Sequence, residues 1–398
     1  MRFITTIGIG GVLLGAACMD AGPVAPATPA TEVAATSEVG DVAVGGYRAR
    51  LLSLAPEQVG SSEALAVNNR GVIGGYVYRH YRDANDYIPN ECPSPRYTAV
   101  LYRGSVIQSL HEAVADALSQ EAGWRVGLCH FESVVTDVND HDEVVGVWWP
   151  SEHEPQHRSG FYWSPSTGVV LAPTDDRYPS SELAAINNEG IVTGDWLDNG
   201  FYPIALRWNP GAGVFSHWPA FDLPYSSPFA IAENSTVAGC VDGYPFVADK
   251  RGSAVLYDQR CSGTSYSQGE FVKRQRPGGV NSSGMAVLSV ESAGPVMWDS
   301  RNSATPVPLG WGAGAAFAIS ERGRTVGRSD RGPSVPWIAV TRASDGSIVY
   351  LPDAVAGAPA EALAVNDCGT IVGFTETSDR YRHRATIWTK EGCDPPLK

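Results

Sequence analysis

The chain has 398 residues and a formal net charge of −14. Its densest basic run, KRQRPGG at 273–279, reads as a solvated loop, so the balance excludes a nucleic-acid partner, whose phosphates demand clustered Lys and Arg. Hydrophobic residues make up 43% and charged residues 18%, which excludes a disordered chain; 43 glycines and 28 prolines suit many short strands joined by turns.

The first segment carries one basic residue, Arg2, and then no charge from Phe3 to Ala17. That is short of the roughly 20 residues a membrane span needs and fits the apolar region of an export signal, residues 1–17. LLGAAC, ending at Cys18, resembles a bacterial lipobox. The resemblance implies that Cys18 is lipidated and anchors the chain to a membrane of the cell envelope, at the outer surface or in the periplasm. An ordinary secretory signal cut near Ala17 is the rival reading. Residues 18–44, rich in Ala, Pro and Thr, form a spacer that holds a folded head off the bilayer. The head is expected over 45–398.

Beyond Cys18 six cysteines remain, an even number that suits disulfides in an exported protein. Short loop closure favours Cys92–Cys129, Cys240–Cys261 and Cys368–Cys393. No Cys-x-x-Cys pair suggests a metal site.

The head is repetitive. AVNNRGVIGG, DVNDHDEVVG, AINNEGIVTG, AIAENSTVAG, GVNSSGMAVL, AISERGRTVG and AVNDCGTIVG align on Asn68, Asn139, Asn187, Ala232, Asn281, Ser320 and Asn366. An Asn side chain imitates a turn by bonding the backbone two residues on. Three places later stand Gly71, Asp142, Gly190, Ser235, Gly284, Gly323 and Gly369, mostly the residue that tolerates positive φ. A β-branched residue precedes each turn. Each hairpin is followed by a second, whose first strand ends near Tyr102, Trp163, Trp208, Trp298 or Trp388. The turns recur at intervals between 39 residues (281 to 320) and 71 (68 to 139), the size of a four-stranded propeller blade. The long first interval holds insertions at 78–96 and 109–125; Ser109 and Glu112 make a capping-box pattern for a short helix in the second.

These features predict an all-β fold: a seven-bladed β-propeller of four-stranded blades, with the aromatics between blades. The stretch GYRARLLSLAP at 46–56 reads as half a blade, and RATIWTKEGC at the other end lacks a final strand. The N-terminal strand is therefore expected to join the last blade and close the ring.

The hairpin pattern, followed by a small-apolar strand ending in Trp, resembles the HAF repeat of bacterial extracellular proteins. TAV, IAL and RAT at 98, 204 and 384 keep the alanine of that repeat's name. The resemblance covers about 46–398 and implies a propeller without an assigned activity or catalytic residues to transfer.

Chemistry-bearing motifs are scarce. No nucleophile elbow, phosphate loop or His-Glu-x-x-His helix occurs. Asp137, Asn139, Asp140 and Asp142 are weak candidates for Ca²⁺ oxygens, but they fall on a repeat turn that favours Asn and Asp anyway. His153 and His157 flank Pro155, which argues against a helical metal pair. Tyr78, Tyr81 and Tyr87 lie in or beside the first insertion and are weak candidates for ligand contact, since loops on rigid scaffolds carry binding. A glycan or a protein is the ligand class considered. The reading is a non-catalytic exported binding or scaffold module; the alternative is a glycan-active hydrolase or lyase using one face of the ring.

Overall fold

The computed structural model describes residues 43–52, 61–78, 97–150 except 129, 158–198 except 175, 202–217, 225–250, 254–261, 278–330 except 292, 303 and 304, 337–377, 382–390 and 392. The chain divides into two units, Met1–Thr31 and Glu32–Lys398, and the first lies wholly outside the described residues.

The second unit is the predicted propeller. Seven antiparallel sheets follow one another along the chain, each a meander of four short strands. Blade 1 is Ser62–Val67, Val72–Tyr78, Tyr97–Arg103 and Val106–Ser109. Blades 2 to 6 begin with Phe131–Val138, Ser180–Ile186, Ser226–Ile231, Gly278–Val280 and Gly314–Ile319. These first strands contact one another in sequence and line the axis. Blade 7 consists of Ala360–Val365, Ile371–Thr377 and Arg382–Lys390 and is completed by Tyr47–Leu51, which pairs from Tyr47↔Lys390 to Leu51↔Thr386. Ring closure by the N-terminal strand therefore holds. A further two-residue strand, Ala43–Val44, pairs outside it, just within the stretch read as spacer.

Why do the sheets stack? A lone four-stranded sheet has two faces to cover, and side-by-side packing covers both. The buried side chains fall into seven inter-blade clusters and one axial cluster. Trp163 sits with Leu101 and Ala99 of blade 1, Trp208 with Val145 of blade 2, and Trp298 with Val247 of blade 4. Trp388 packs on Ala339 of blade 6 and Tyr102 on Ile387 of blade 7. The five aromatics pair with residues at one repeat position, Ile73, Val144, Val192, Ala286 and Ile371, which confirms their equivalence.

Six of the seven axial strands carry a bulge three residues before the turn, as between Ala64 and Ala66 or between Ala362 and Ala364. The bulge turns Leu65, Phe317 and Leu363 toward the axis, where with Val134, Phe374 and Trp149 they form the axial cluster.

The recurring third-strand alanine has a packing reason. Ser62, Ser133 and Ser226 each accept a hydrogen bond through Oγ from the backbone N–H of Ala385, Ala99 and Ala205 in the preceding blade. All three alanines are fully buried, and a larger side chain there would push the blades apart.

The insertion before blade 2 forms a helix, His111–Ala122, ended by Gly123 at φ 71°. Its first cap differs from expectation. Leu110 occupies the N-cap without a side-chain bond, while Ser109 Oγ, one residue earlier, accepts the His111 N–H at 3.3 Å. Buried Leu110, Val114 and Leu118 fix the entry by packing, so the reciprocal capping box does not form. The Cys240–Cys261 disulfide is present and joins the second strand of blade 4 to a residue bridged to Val290 of blade 5. Cys368 is also disulfide-bonded; Cys92, Cys129 and Cys393 lie outside the described residues.

Candidate functional site

The two ends of the ring differ in kind. At one end stand the seven repeat turns. Each Asn carboxamide oxygen accepts its own backbone: Asn68 Oδ1 takes the N–H groups of Arg70 (3.0 Å) and Val72 (2.8 Å). Its nitrogen reaches into the next blade. Asn68 Nδ2 donates to Asn139 O at 2.8 Å, Asn139 Nδ2 to Asn187 O at 2.9 Å, and Asn187 Nδ2 to Ala232 O at 3.3 Å. Asn281 Nδ2 donates to Ser320 O at 3.3 Å, and Asn366 Nδ2 to Asn68 O at 3.0 Å across the seam between chain ends. The belt is interrupted where Ala232 and Ser320 replace Asn. All seven residues three places on have positive φ, including Asp142 (62°) and Ser235 (63°). Those two are not glycines, and each side chain accepts a second hydrogen from the preceding blade's Asn.

One place after each belt residue runs a second ring: Asn69, Asp140, Asn188, Glu233, Ser282, Glu321 and Asp367. Asn69 N donates to Asp140 Oδ1 (2.7 Å), Asp140 N to Asn188 Oδ1 (2.7 Å), and Asn188 N to Glu233 Oε2 (2.9 Å). Ser282 N donates to Glu321 Oε2 (2.8 Å), and Asp367 N to Asn69 Oδ1 (2.9 Å).

The four oxygen candidates lie on these rings or beside them. Asp140 sits in the second ring, where it accepts from Asn69 and Asn188. Asp137 Oδ2 accepts from Ile186 N at 3.0 Å. Asn139 belongs to the belt, and Asp142 is held by Asn68, Arg103 and Arg70. The three acids therefore face N–H donors of neighbouring blades and Asn139 Oδ1 those of its own turn, and no group of acids, His and Cys with metal-binding geometry occurs among the described residues. Tyr162 closes the same corner by donating to Glu143 Oε1 at 2.8 Å; burial and that bond push its hydroxyl up to about 12.

Glu233 is exposed at the rim, yet its carboxyl lies above the usual range. Partial loss of hydration is the main cause; the Asn188 N–H pulls the other way, and the charges of Asp140, Glu321 and Asp137 add to the rise. A raised carboxyl is a stability statement. Below the ordinary Glu range both folded and unfolded forms are protonated and nothing is lost; as pH rises through that range and past it, the folded state loses stability. Glu233→Gln is therefore expected to melt higher than the parent at pH 7, with the gap closing below about pH 4. Thermal melts across pH 3.5–7.5 check this, and a gap that is constant with pH would refute the carboxylate origin.

The opposite end carries the long connections and few repeated contacts. Here the first strands carry Glu63, Glu182 and Glu361, each paired with a basic side chain of the preceding blade. His383 Nδ1 lies 2.6 Å from Glu63 Oε1, with Glu376 Oε1 3.8 Å from its other nitrogen. Arg328 Nη1 donates to Glu361 at 2.7 Å, and Arg158 pairs with Glu182. Asp195 accepts from Ser227 Oγ at 3.0 Å. Glu63, Glu361 and Asp195 are almost wholly buried, so these partners are what makes the charges tolerable. Beside them rises an aromatic wall: Tyr97 packs on Tyr76 (5.0 Å between centroids), Tyr78 (4.7 Å) and Trp149 (5.7 Å). Tyr78 thus joins this wall, while Tyr81, Tyr87, His153 and His157 lie outside the described residues. The acids at this end were not singled out from sequence, because only three of seven blades have Glu at the position.

No family model matches the chain, and no curated protein matches it. Among solved structures, virginiamycin B lyase from Staphylococcus aureus is similar, with a TM-score of 0.51 at 11% identity, over 86% of this chain and 99% of that one. A catalytically inactive form of the same enzyme with quinupristin gives 0.50 at 10% identity, over 86% and 99%. YCF48 bound to D1 peptide reaches 0.43 at 9% identity, over 89% and 99%. At these identities the likeness to the lyase shows a shared propeller fold and no more.

Proposed function

We propose that this chain is an exported, lipid-anchored propeller that binds a glycan or protein ligand at the face opposite the Asn belt and does not transform it. The asymmetry of the two ends carries this reading. The turn end carries two rings of repeated polar contacts between blades, whereas the other end combines long connections with the Tyr97–Trp149 wall and a few buried, paired acids. Kinship with HAF-repeat proteins belongs to the same proposal and rests on the Asn-turn-Gly hairpins and the third-strand alanine.

The Glu63–His383 pair is the one observation favouring the alternative, a glycan-active enzyme, since a His oriented by a buried carboxylate is the form a general base takes. Against it, Glu361–Arg328 and Glu182–Arg158 hold the same position in other blades, where an Arg stays protonated and cannot serve as a base.

The test is an array of envelope glycans and peptides probed with the Cys18→Ser chain. Saturable binding, weakened by Tyr97→Ala, unchanged by Glu233→Gln and with the ligand recovered intact, is expected. Released product would overturn the non-catalytic reading, and binding lost through Glu233→Gln would overturn the choice of face. Cys18→Ser should also move the protein from the membrane to the soluble fraction; a parent chain already soluble would remove the anchor.

A further inference from the structure

The helix His111–Ala122 is the only one among the described residues. It follows the fourth strand of blade 1 and so stands at the end opposite the Asn belt. Its inner side, Val114, Ala115 and Leu118, packs in one cluster with Val169 and Leu171 of the outer strand of blade 2. Just past the helix, Trp124 is 62% exposed, more than any other large apolar side chain described, and Leu128 is 43% exposed.

The loop that displays them is fastened from beneath. Gly123, at φ 71°, donates its N–H to Ser119 O at 3.0 Å. Val126 N donates to Ser119 Oγ at 2.8 Å, and that hydroxyl donates to Ala115 O at 2.7 Å. His111 joins Leu128 O (2.9 Å) to Ser133 Oγ (2.7 Å), and Val126 packs on the cluster below. Trp124 and Leu128 are thus held out on an ordered backbone, and a surface that closes over them has little backbone freedom to remove. The charge beside them has one sign. The outward side of the helix carries Glu112, Asp116 and Glu121, all exposed, and its last turn holds no basic residue. Arg125 is the one Lys or Arg between residues 111 and 128.

We propose that Trp124 and Leu128, flanked by the acids of the helix, are the docking point for a basic, amphipathic segment of a protein partner. The indole supplies the buried apolar anchor that Trp commonly supplies at the centre of an interface. Charge selects the occupant: Glu112, Asp116 and Glu121 attract a basic segment and repel an anionic bilayer. A sugar needs polar groups that converge on the edge of the ring, whereas these acids are spread over more than two turns of helix. The proposal rests on reading this end as the binding face and narrows the ligand there to a protein segment of positive charge.

The probe is a synthetic amphipathic helix of Lys and Leu, titrated by calorimetry into the full chain carrying Cys18→Ser. A peptide of the same pattern built from Glu and Leu is the control. Saturable binding of the Lys peptide is expected, with the Glu peptide at least about tenfold weaker. Trp124→Ala should weaken the Lys peptide about tenfold, and Glu112→Gln with Asp116→Asn about threefold. Glu233→Gln, which removes a carboxylate from the other end, should change nothing, and this separates docking from general attraction to an acidic chain. All these positions are exposed, and unchanged melting of the variants confirms that they fold. Equal affinity in Trp124→Ala and the parent, or an equal loss in Glu233→Gln, overturns the docking point. Cosedimentation with phosphatidylcholine vesicles that Trp124→Ala abolishes would give the ring to a bilayer and overturn the protein partner. Array binding lost in Tyr97→Ala, with Trp124→Ala without effect on either array or peptide, would leave the binding face standing while the docking point fails.

Discussion

Asn68→Ala is expected to destabilise the propeller by about 2–4 kcal/mol, one of the largest effects of any single polar substitution in it. Four hydrogen bonds leave at once: two that the carboxamide oxygen accepts from Arg70 and Val72, and two that the nitrogen donates to Asn139 O and Asp142 Oδ1. Asn68 is 4% exposed, so water cannot replace them without opening the turn. The loss also leaves the buried Asp142 carboxylate with only its arginines. Two companions separate belt from turn. Asn69→Ala, exposed one residue on, should cost well under 1 kcal/mol. Ala232→Asn should stabilise by about 0.5–1.5 kcal/mol by restoring a link from blade 4 to blade 5. Urea unfolding monitored by tryptophan fluorescence measures all three. Equal midpoints for Asn68→Ala and Asn69→Ala would show that the belt contributes nothing.

The interruptions in the belt are informative. At the blade 4–5 seam, where Ala232 stands, the Cys240–Cys261 linkage and the cluster around Trp298 hold the blades together. At the blade 6–7 seam the Ser320 hydroxyl is buried and finds no partner among the described residues; there Trp388, fully buried, donates to Pro352 O at 2.9 Å. Each seam combines apolar area with some directional link, and the link differs where the repeat has diverged.

The repeat architecture was legible because its signal is local. Asn at one place, Gly three places on and a β-branched residue before them describe one hairpin, and seven copies describe a ring. The aromatic at the end of each third strand was legible for the same reason. What lay between copies was harder to read. The sequence shows the Asn side chain as the mimic of its own turn; its nitrogen serves the next blade, a contact no alignment of copies can reveal. The acids Asp137 to Asp142 suggested calcium because their donors, Asn68, Arg103, Asn188 and Ile186, come from blades 1 and 3. The buried glutamates escaped notice since their partners occupy no common position: His383 and Arg328 come from third and second strands, Arg158 from just ahead of a third strand.

Deleting residues 43–52 is expected to have the largest effect of any change to the chain. The strand Tyr47–Leu51 is the fourth strand of blade 7; it contributes Tyr47 and Ala49, and Leu52 just after it, all nearly or fully buried, to the clusters on both sides of that blade. Without it Arg382–Lys390 becomes an open edge bordered by exposed apolar surface. Blades 7 and 1 would remain linked only by side chains, such as Asn366 to Asn68 and His383 to Glu63. A ring closed by hydrogen bonds between its two ends opens when one end is removed, so the truncated chain should lose its single cooperative transition and associate through the bare strand. A synthetic peptide of residues 43–52 should restore the monomer, whereas the same peptide with Ala49→Asp should not, because Ala49 is 2% exposed and faces Trp388 across the strand pair. Size-exclusion chromatography with and without peptide reads the outcome. A truncated chain that stays monomeric and melts at the parent temperature would mean that blade 7 is held by its side chains alone.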